Sequence, residues 1–160
     1  MVDLMKYGIN PLKKRDYENI AYVMALIFNV SKKRINQFFR EYGITLQQFN
    51  VLMVVRFQNE GNGLTQKEIG DHLIVSPGSI TRLTGSLAKE KMLMISQNKE
   101  SRRENIVKIT PKGSDFIETV WTGYDKLMRE IVGLVPSKHH KFLSEVLSNW
   151  LDALINDKGE

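Results

Sequence analysis

Ser76, Pro77, Gly78, Ser79, Thr81 and Arg82 bring small residues, three hydroxyls and one guanidinium into a single short run. Small residues let a backbone come close to a groove floor, hydroxyls donate or accept at base edges, and a guanidinium makes two parallel hydrogen bonds to guanine or grips a phosphate. Further along, the polar stretch Gln97 to Glu104 contains Lys99, Arg102 and Arg103. Three cations in one loop are placed to reach backbone phosphates or a minor groove beside the major groove. The chemistry these residues suit is non-covalent reading of a nucleic acid.

Such a run needs a helix that starts at a fixed point. Ser76 is a suitable N-cap, and Pro77 fits the first helical position because its missing N–H would have no partner there. Ile80, Leu83 and Leu87 recur at spacings of three and four, so they face inward and leave Pro77, Gly78, Ser79, Thr81 and Arg82 outward. A shorter helix precedes it, opened by the capping box Thr65-Gln66-Lys67-Glu68 and carrying Ile69 and Leu73 on one face. After it, Met92 to Ser96 and Asn105 to Thr110 read as two strands of a hairpin whose tip holds the basic cluster.

The flanks are helical. Ile20, Val23, Met24, Ile27, Ser31, Ile35, Phe38 and Tyr42 predict a long helix that breaks at Gly43. Thr45-Leu46-Gln47-Gln48 forms another capping box, and the helix it opens is expected to run to Gly61-Asn62-Gly63, with Leu64 as a very short third strand. Thr110-Pro111 repeats the cap-then-proline device before a helix ending near Gly133, and Pro136-Ser137 opens the last helix. The terminal helices carry wider apolar faces than a compact three-helix reader covers, which predicts a homodimer.

Taken in order, Ser76, then Ser79-Ile80-Thr81-Arg82-Leu83, then Leu87, then Arg102-Arg103 seven residues before Thr110-Pro111-Lys112-Gly113, resemble the winged helix-turn-helix of the MarR (multiple antibiotic resistance regulator) family. The flanking helices extend the resemblance over nearly the whole chain. Two positions depart from the family pattern. Ser101 stands where an aspartate usually precedes the paired arginines, with Glu100 one place earlier, and Lys91 replaces the glycine that usually ends the recognition helix. The latter predicts a turn that closes without a left-handed glycine cap.

The resemblance implies a mainly α fold with a small β-hairpin wing. Residues 1–160 would be one unit, with the DNA-binding region at 46–110 and dimerisation helices at 11–42 and 111–157. It implies a homodimer that binds double-stranded DNA at a palindromic operator, with half-sites ~10 base pairs apart. It also implies an effector pocket between the dimerisation helices and the reader, with a small aromatic or phenolic molecule as the candidate effector.

Composition sets bounds. A chain of 160 residues with 42% hydrophobic content holds one core comfortably. The absence of cysteine excludes disulfides, thiolate metal sites and thiol-based sensing. A net charge of +5 favours a polyanionic partner, and residues 65–110 hold eight basic against five acidic side chains, a local +3. The basic runs Lys13-Lys14-Arg15 and Lys32-Lys33-Arg34 read as solvated helix faces. No apolar run reaches the ~20 residues of a membrane span, and Met1 to Tyr7 lacks the features of a signal peptide, so a cytoplasmic location is expected.

His139 and His140 point ~100° apart on a helix and have no further ligand at metal spacing, so neither a metal nor a cofactor is expected. Tyr22, Phe28, Phe38, Phe39, Phe49, Phe57 and Trp121 could line a cavity for an aromatic ligand, but at these spacings most read as ordinary core. An enzyme lacks material here: there is no phosphate-cradling glycine loop, nucleophile motif or convincing pair of carboxylates. What the resemblance implies is a sequence-specific DNA-binding regulator acting as a ligand-responsive repressor. The alternative is a winged-helix module that binds protein, in which Lys99, Arg102 and Arg103 serve acidic partners.

Overall fold

The computed structural model describes residues 3–9, 15–98, 101 and 104–157. It contains α1 (Asp16–Glu41), α2 (Leu46–Phe57), β1 (Leu64–Thr65), α3 (Gln66–Leu73), α4 (Pro77–Lys89), β2 (Leu93–Gln97), β3 (Asn105–Ile109), α5 (Pro111–Val132) and α6 (His140–Asn156), with short 3-10 turns at Leu4–Tyr7, Asn59–Gly61 and Ser137–His139. The fold is mainly helical with a small antiparallel sheet. Among the described residues no helix is long and apolar enough to cross a membrane.

The chain divides into two compact units, Met1–Thr122 and Gly123–Glu160. In the first, Phe39 of α1, Phe49, Val51, Leu52 and Val55 of α2, Ile69 of α3, and Ile80 and Leu87 of α4 form the core with Val107, Ile117 and Val120. The rings of Phe39 and Phe49 lie 4.9 Å apart. In the second unit α6 leaves Phe142, Leu147, Leu151 and Leu154 exposed, and in the first α1 leaves Ile20, Ile27 and Phe28 exposed. Tyr22, Phe57 and Trp121 are exposed as well, which corrects the expectation that the aromatics are mainly core. Periodicity marks an apolar face, and among the described residues these side chains stay exposed.

Leu64 does enter the sheet. Its order is β1-β3-β2, with Leu64 opposite Val107, Ile95 opposite Val107 on the other side, and Leu93 opposite Ile109. Gly63, at φ +97°, makes this possible: a Cβ there would lie 2.7 Å from both Ile106 Cγ2 and Lys108 Cγ.

Three element ends differ from expectation. Helix α2 stops at Phe57 instead of reaching Gly61, because Gln58 turns extended and Asn59 and Glu60 take positive φ. The first wing strand is shifted by one residue, Leu93–Gln97 in place of Met92–Ser96, and the second starts at Asn105 as expected but ends at Ile109, one residue short of Thr110. The last helix opens with a 3-10 turn at Ser137, so α6 proper starts at His140, whose Nε2 lies 2.8 Å from the Val135 carbonyl. Both His139 and His140 are exposed, and the described residues contain no cluster able to hold a metal.

Candidate nucleic-acid interface

Helix α4 is buried on one side and bare on the other. Ile80, Leu83, Thr84 and Leu87 are buried. Ser76, Pro77, Gly78, Thr81 and Arg82 are exposed and Ser79 is half-buried. Arg82 has no hydrogen-bond or ion-pair partner among the described residues, so its guanidinium is available to an external acceptor. The positive end of the helix dipole lies on this same turn and favours an anion such as a phosphate.

Two of the hydroxyls do less than their sequence positions promise. Ser76 occupies the N-cap with extended backbone, but its side chain makes no capping bond. Its Oγ lies 3.0 Å from Ser79 Oγ, and the helix starts instead on Ser79 N–H and Ile80 N–H donating to the Ser76 carbonyl at 3.0 and 3.2 Å. Thr81 donates its one hydroxyl proton to the Pro77 carbonyl at 3.1 Å, which leaves its lone pairs for a base-edge donor.

The neighbouring helices fix α4 in rotation through two amides. Gln66 Nε2 on α3 donates to Thr84 Oγ1 at 2.8 Å, and Thr84 in turn donates to the Ile80 carbonyl at 2.8 Å. Gln48 Nε2 on α2 donates to Ser86 Oγ at 3.1 Å. No local pattern singles out Thr84 or Ser86, and Gln48 and Gln66 stand out in the sequence only as members of capping boxes. Their partners lie 18 and 38 positions apart, beyond any local pattern.

Helices α2 and α3 both begin with complete capping boxes. Thr45 N–H donates to Gln48 Oε1 at 2.8 Å and Gln48 N–H to Thr45 Oγ1 at 3.2 Å; Thr65 N–H donates to Glu68 Oε2 at 2.7 Å and Glu68 N–H to Thr65 Oγ1 at 3.2 Å. The Thr65 amide, then the Thr65 hydroxyl, hold the Glu68 carboxyl below its ordinary range, with a smaller contribution from His72. The turn from α3 into α4 passes through Ile74 at φ +54°, with Val75 N–H donating to the Gly70 carbonyl at 3.1 Å. A β-branched residue is rare in that region, and Ile74 is exposed beside the start of α4.

At the far end of α4, Lys91 itself takes φ +60°. Met92 N–H donates to the Leu87 carbonyl and Lys91 N–H to that of Ala88, both at 2.9 Å, which is the Schellman arrangement. A left-handed cap therefore does form, built on lysine. Thr110 Oγ1 donates to the Lys91 carbonyl at 2.7 Å, Lys112 Nζ to the Glu90 carbonyl at 2.7 Å, and Gly113 N–H to Thr110 Oγ1 at 3.1 Å, so the start of α5 is tied to the end of α4. The expected Thr110 cap is present.

In the wing, Asn98 N–H donates to the Glu104 carbonyl at 2.9 Å, carrying the hairpin one step past the Gln97 and Asn105 pair. Lys99, Arg102 and Arg103, with Glu100, lie outside the described residues.

Elsewhere in the same unit, Met53 and Phe57 of α2 and Ile117, Glu118 and Trp121 of α5 line a cavity of about 340 Å³. It is an open pocket, with Phe57, Glu118 and Trp121 exposed to solvent, and its wall is almost wholly apolar.

Comparison with known proteins agrees with this geometry. PrsX of Escherichia coli, an HTH-type transcriptional regulator, is 28% identical over 138 residues, covering 84% of this chain and 82% of its own. Bordetella bronchiseptica BpsR, whose DNA binding is regulated by 6-hydroxynicotinic acid, has the same fold at a TM-score of 0.75 and 16% identity, over 82% of this chain and 98% of its own. AbsC of Streptomyces coelicolor, a MarR family regulator, superposes at a TM-score of 0.78 and 14% identity, over 87% and 95%. The profile described as transcriptional regulator SarA/Rot matches residues 32–120, more than half of the chain. These relatives regulate transcription and are not enzymes. The chain is a winged-helix protein of MarR-like fold and belongs to the SarA/Rot family of transcriptional regulators.

Proposed function

We propose that this regulator acts as a ligand-responsive repressor that binds an inverted-repeat operator as a homodimer. The observation that carries the reading is α4: its apolar face is locked into the core, two amides fix its rotation, and Gly78, Thr81 and Arg82 stand exposed at its N-terminal end. Ser76, Pro77, Gly78, Ser79, Thr81 and Arg82 would read bases or adjoining phosphates in the major groove, with Lys99, Arg102 and Arg103 of the wing on the backbone or minor groove alongside. In this reading 46–110 is the reader, and 11–42 with 111–157 form the dimer.

The apolar surface left on α1, and separately that left on α6, supports the dimer, since exposed apolar helix faces mark interaction surfaces. The cavity beneath Trp121 supports ligand response, because α5 lines it and is also hydrogen-bonded to the end of α4. An occupant there has a direct mechanical route to the reading helix. BpsR provides the precedent for a small molecule that changes DNA binding on this fold.

The test is titration of duplex DNA at several salt concentrations, with light scattering of the free protein. Phosphate neutralisation releases counterions, so log affinity should fall linearly with log salt; a flat response would turn the reading toward a protein-binding module. Trp150→Asp should weaken the dimer by placing an unpaired charge in its interface. A stable folded monomer of 18.5 kDa would remove the dimer.

A further inference from the structure

We infer that the cavity between α2 and α5 takes an organic monocation with an aromatic or branched apolar body, and that Glu118 is its counter-charge. This rests on the ligand-responsive reading above and specifies its ligand. Met53, Phe57, Ile117 and Trp121 supply the apolar wall, and Glu118 is the one charged residue among the described residues that line the space. Glu118 has no hydrogen-bond or ion-pair partner among the described residues. A carboxylate beside an indole is a favourable setting for a weakly hydrated cation: the ring face attracts positive charge within about 6 Å, and the carboxylate adds a Coulombic term. The same carboxylate repels a phenolate or a benzoate.

Among the described residues no Lys or Arg lines the space. Arg56 rests over Phe57 with its guanidinium carbon 5.8 Å from the ring centroid, but it does not line the cavity. Methionine adds a polarisable surface that adapts to irregular ligands. At about 340 Å³ the space suits a single ring bearing a quaternary or tertiary ammonium. The expected class therefore differs from the phenolic effectors that resemblance alone implies.

Full-length protein carrying Trp150→Phe leaves Trp121 as the sole indole, and its fluorescence is titrated with benzyltrimethylammonium and with benzoate. The inference expects saturable change with the cation, little with the anion, and binding of the cation about three- to tenfold weaker in the Glu118→Gln variant. Because Glu118 is exposed, that variant should fold, which circular dichroism checks. Preference for benzoate, or equal cation binding in both proteins, overturns the inference. The effect of each compound on operator affinity is read separately. Benzoate alone releasing DNA would keep ligand response and reject the cation, whereas Glu118-dependent cation binding without release would keep the site and reject ligand response.

Discussion

Gln66 Nε2 donates a 2.8 Å hydrogen bond to the hydroxyl of the fully buried Thr84, joining the first turn of α3 to the middle of α4. Thr84 is the only buried polar residue among the described ones, and its proton goes to the Ile80 carbonyl of its own helix. The two helices of the reader thus share a satisfied polar contact at a buried residue, with a longer Thr81 to Gln66 contact of 3.5 Å beside it. Thr84→Val keeps the shape but strands the Gln66 amide, and should cost about 1–2 kcal/mol in urea unfolding. Adding Gln66→Ala should recover part of that loss, with a coupling of about 1 kcal/mol in the double-mutant cycle. Strict additivity would show that the contact contributes nothing specific.

The junction between α4 and α5 makes a sharper prediction. A Cβ on Gly113 would lie 2.3 Å from the Met92 carbonyl oxygen and 2.9 Å from Ile109 Cγ1, so backbone would have to move. Gly113→Ala should cost about 3 kcal/mol or abolish folding, in the overpacking range. Gly85, in the interior of α4, has nothing within 4 Å of the same position. Gly85→Ala should instead stabilise by about 0.5–1 kcal/mol. Parallel thermal unfolding at one protein concentration compares them; similar effects would contradict the junction geometry.

Short-range features were legible in the chain because short-range physics decides them. Thr45 and Thr65 cap as their boxes require, and Ile80, Leu83 and Leu87 are buried as their spacing demands. What escaped was decided by competition or by distance. The Ser76 hydroxyl had two partners in reach and faces Ser79 rather than the helix amides. Lys91 shows that a closing geometry can outweigh residue preference: the Schellman bonds and the Thr110 contact hold a lysine where glycine is usual. The clamps from Gln48 and Gln66, and the cavity wall shared by Met53 and Glu118, exist only once distant segments meet.

Lys91 can be tested directly. A residue with a Cβ in the left-handed region is disfavoured by roughly 1–2 kcal/mol, part of which glycine returns as unfolded-state entropy. Lys91→Gly should therefore raise stability by about 0.5–1 kcal/mol in urea unfolding. A decrease would mean that the lysine side chain contributes more than its backbone costs.

Glu68 links stability to pH. Its carboxyl is depressed mainly by the Thr65 amide, so the ionised form stabilises the folded chain above the ordinary carboxylate value of 4.5. The contribution is lost as pH falls through the lower, folded value, because the unfolded chain takes up the proton first. Glu68→Gln accepts the same amide bond without the charge. The stability gap between the two proteins should be open at pH 7 and close in acid; a gap constant from pH 7 to pH 3 would assign the stabilisation to something other than ionisation.

Arg82 should carry sequence discrimination. It follows Thr81 on the exposed face of α4, while Ile80 and Leu83 on either side of that pair are buried and hold the helix from below. With no internal partner among the described residues, its guanidinium can align with guanine O6 and N7 without first breaking a bond. Arg82→Ala should cost about 1–3 kcal/mol on an operator selected from random duplexes, and much less on unselected DNA at the same salt. Circular dichroism should show an unchanged fold, since the side chain is exposed. Equal losses on both duplexes would make Arg82 a phosphate clamp, and no loss on either would move the reading surface away from α4.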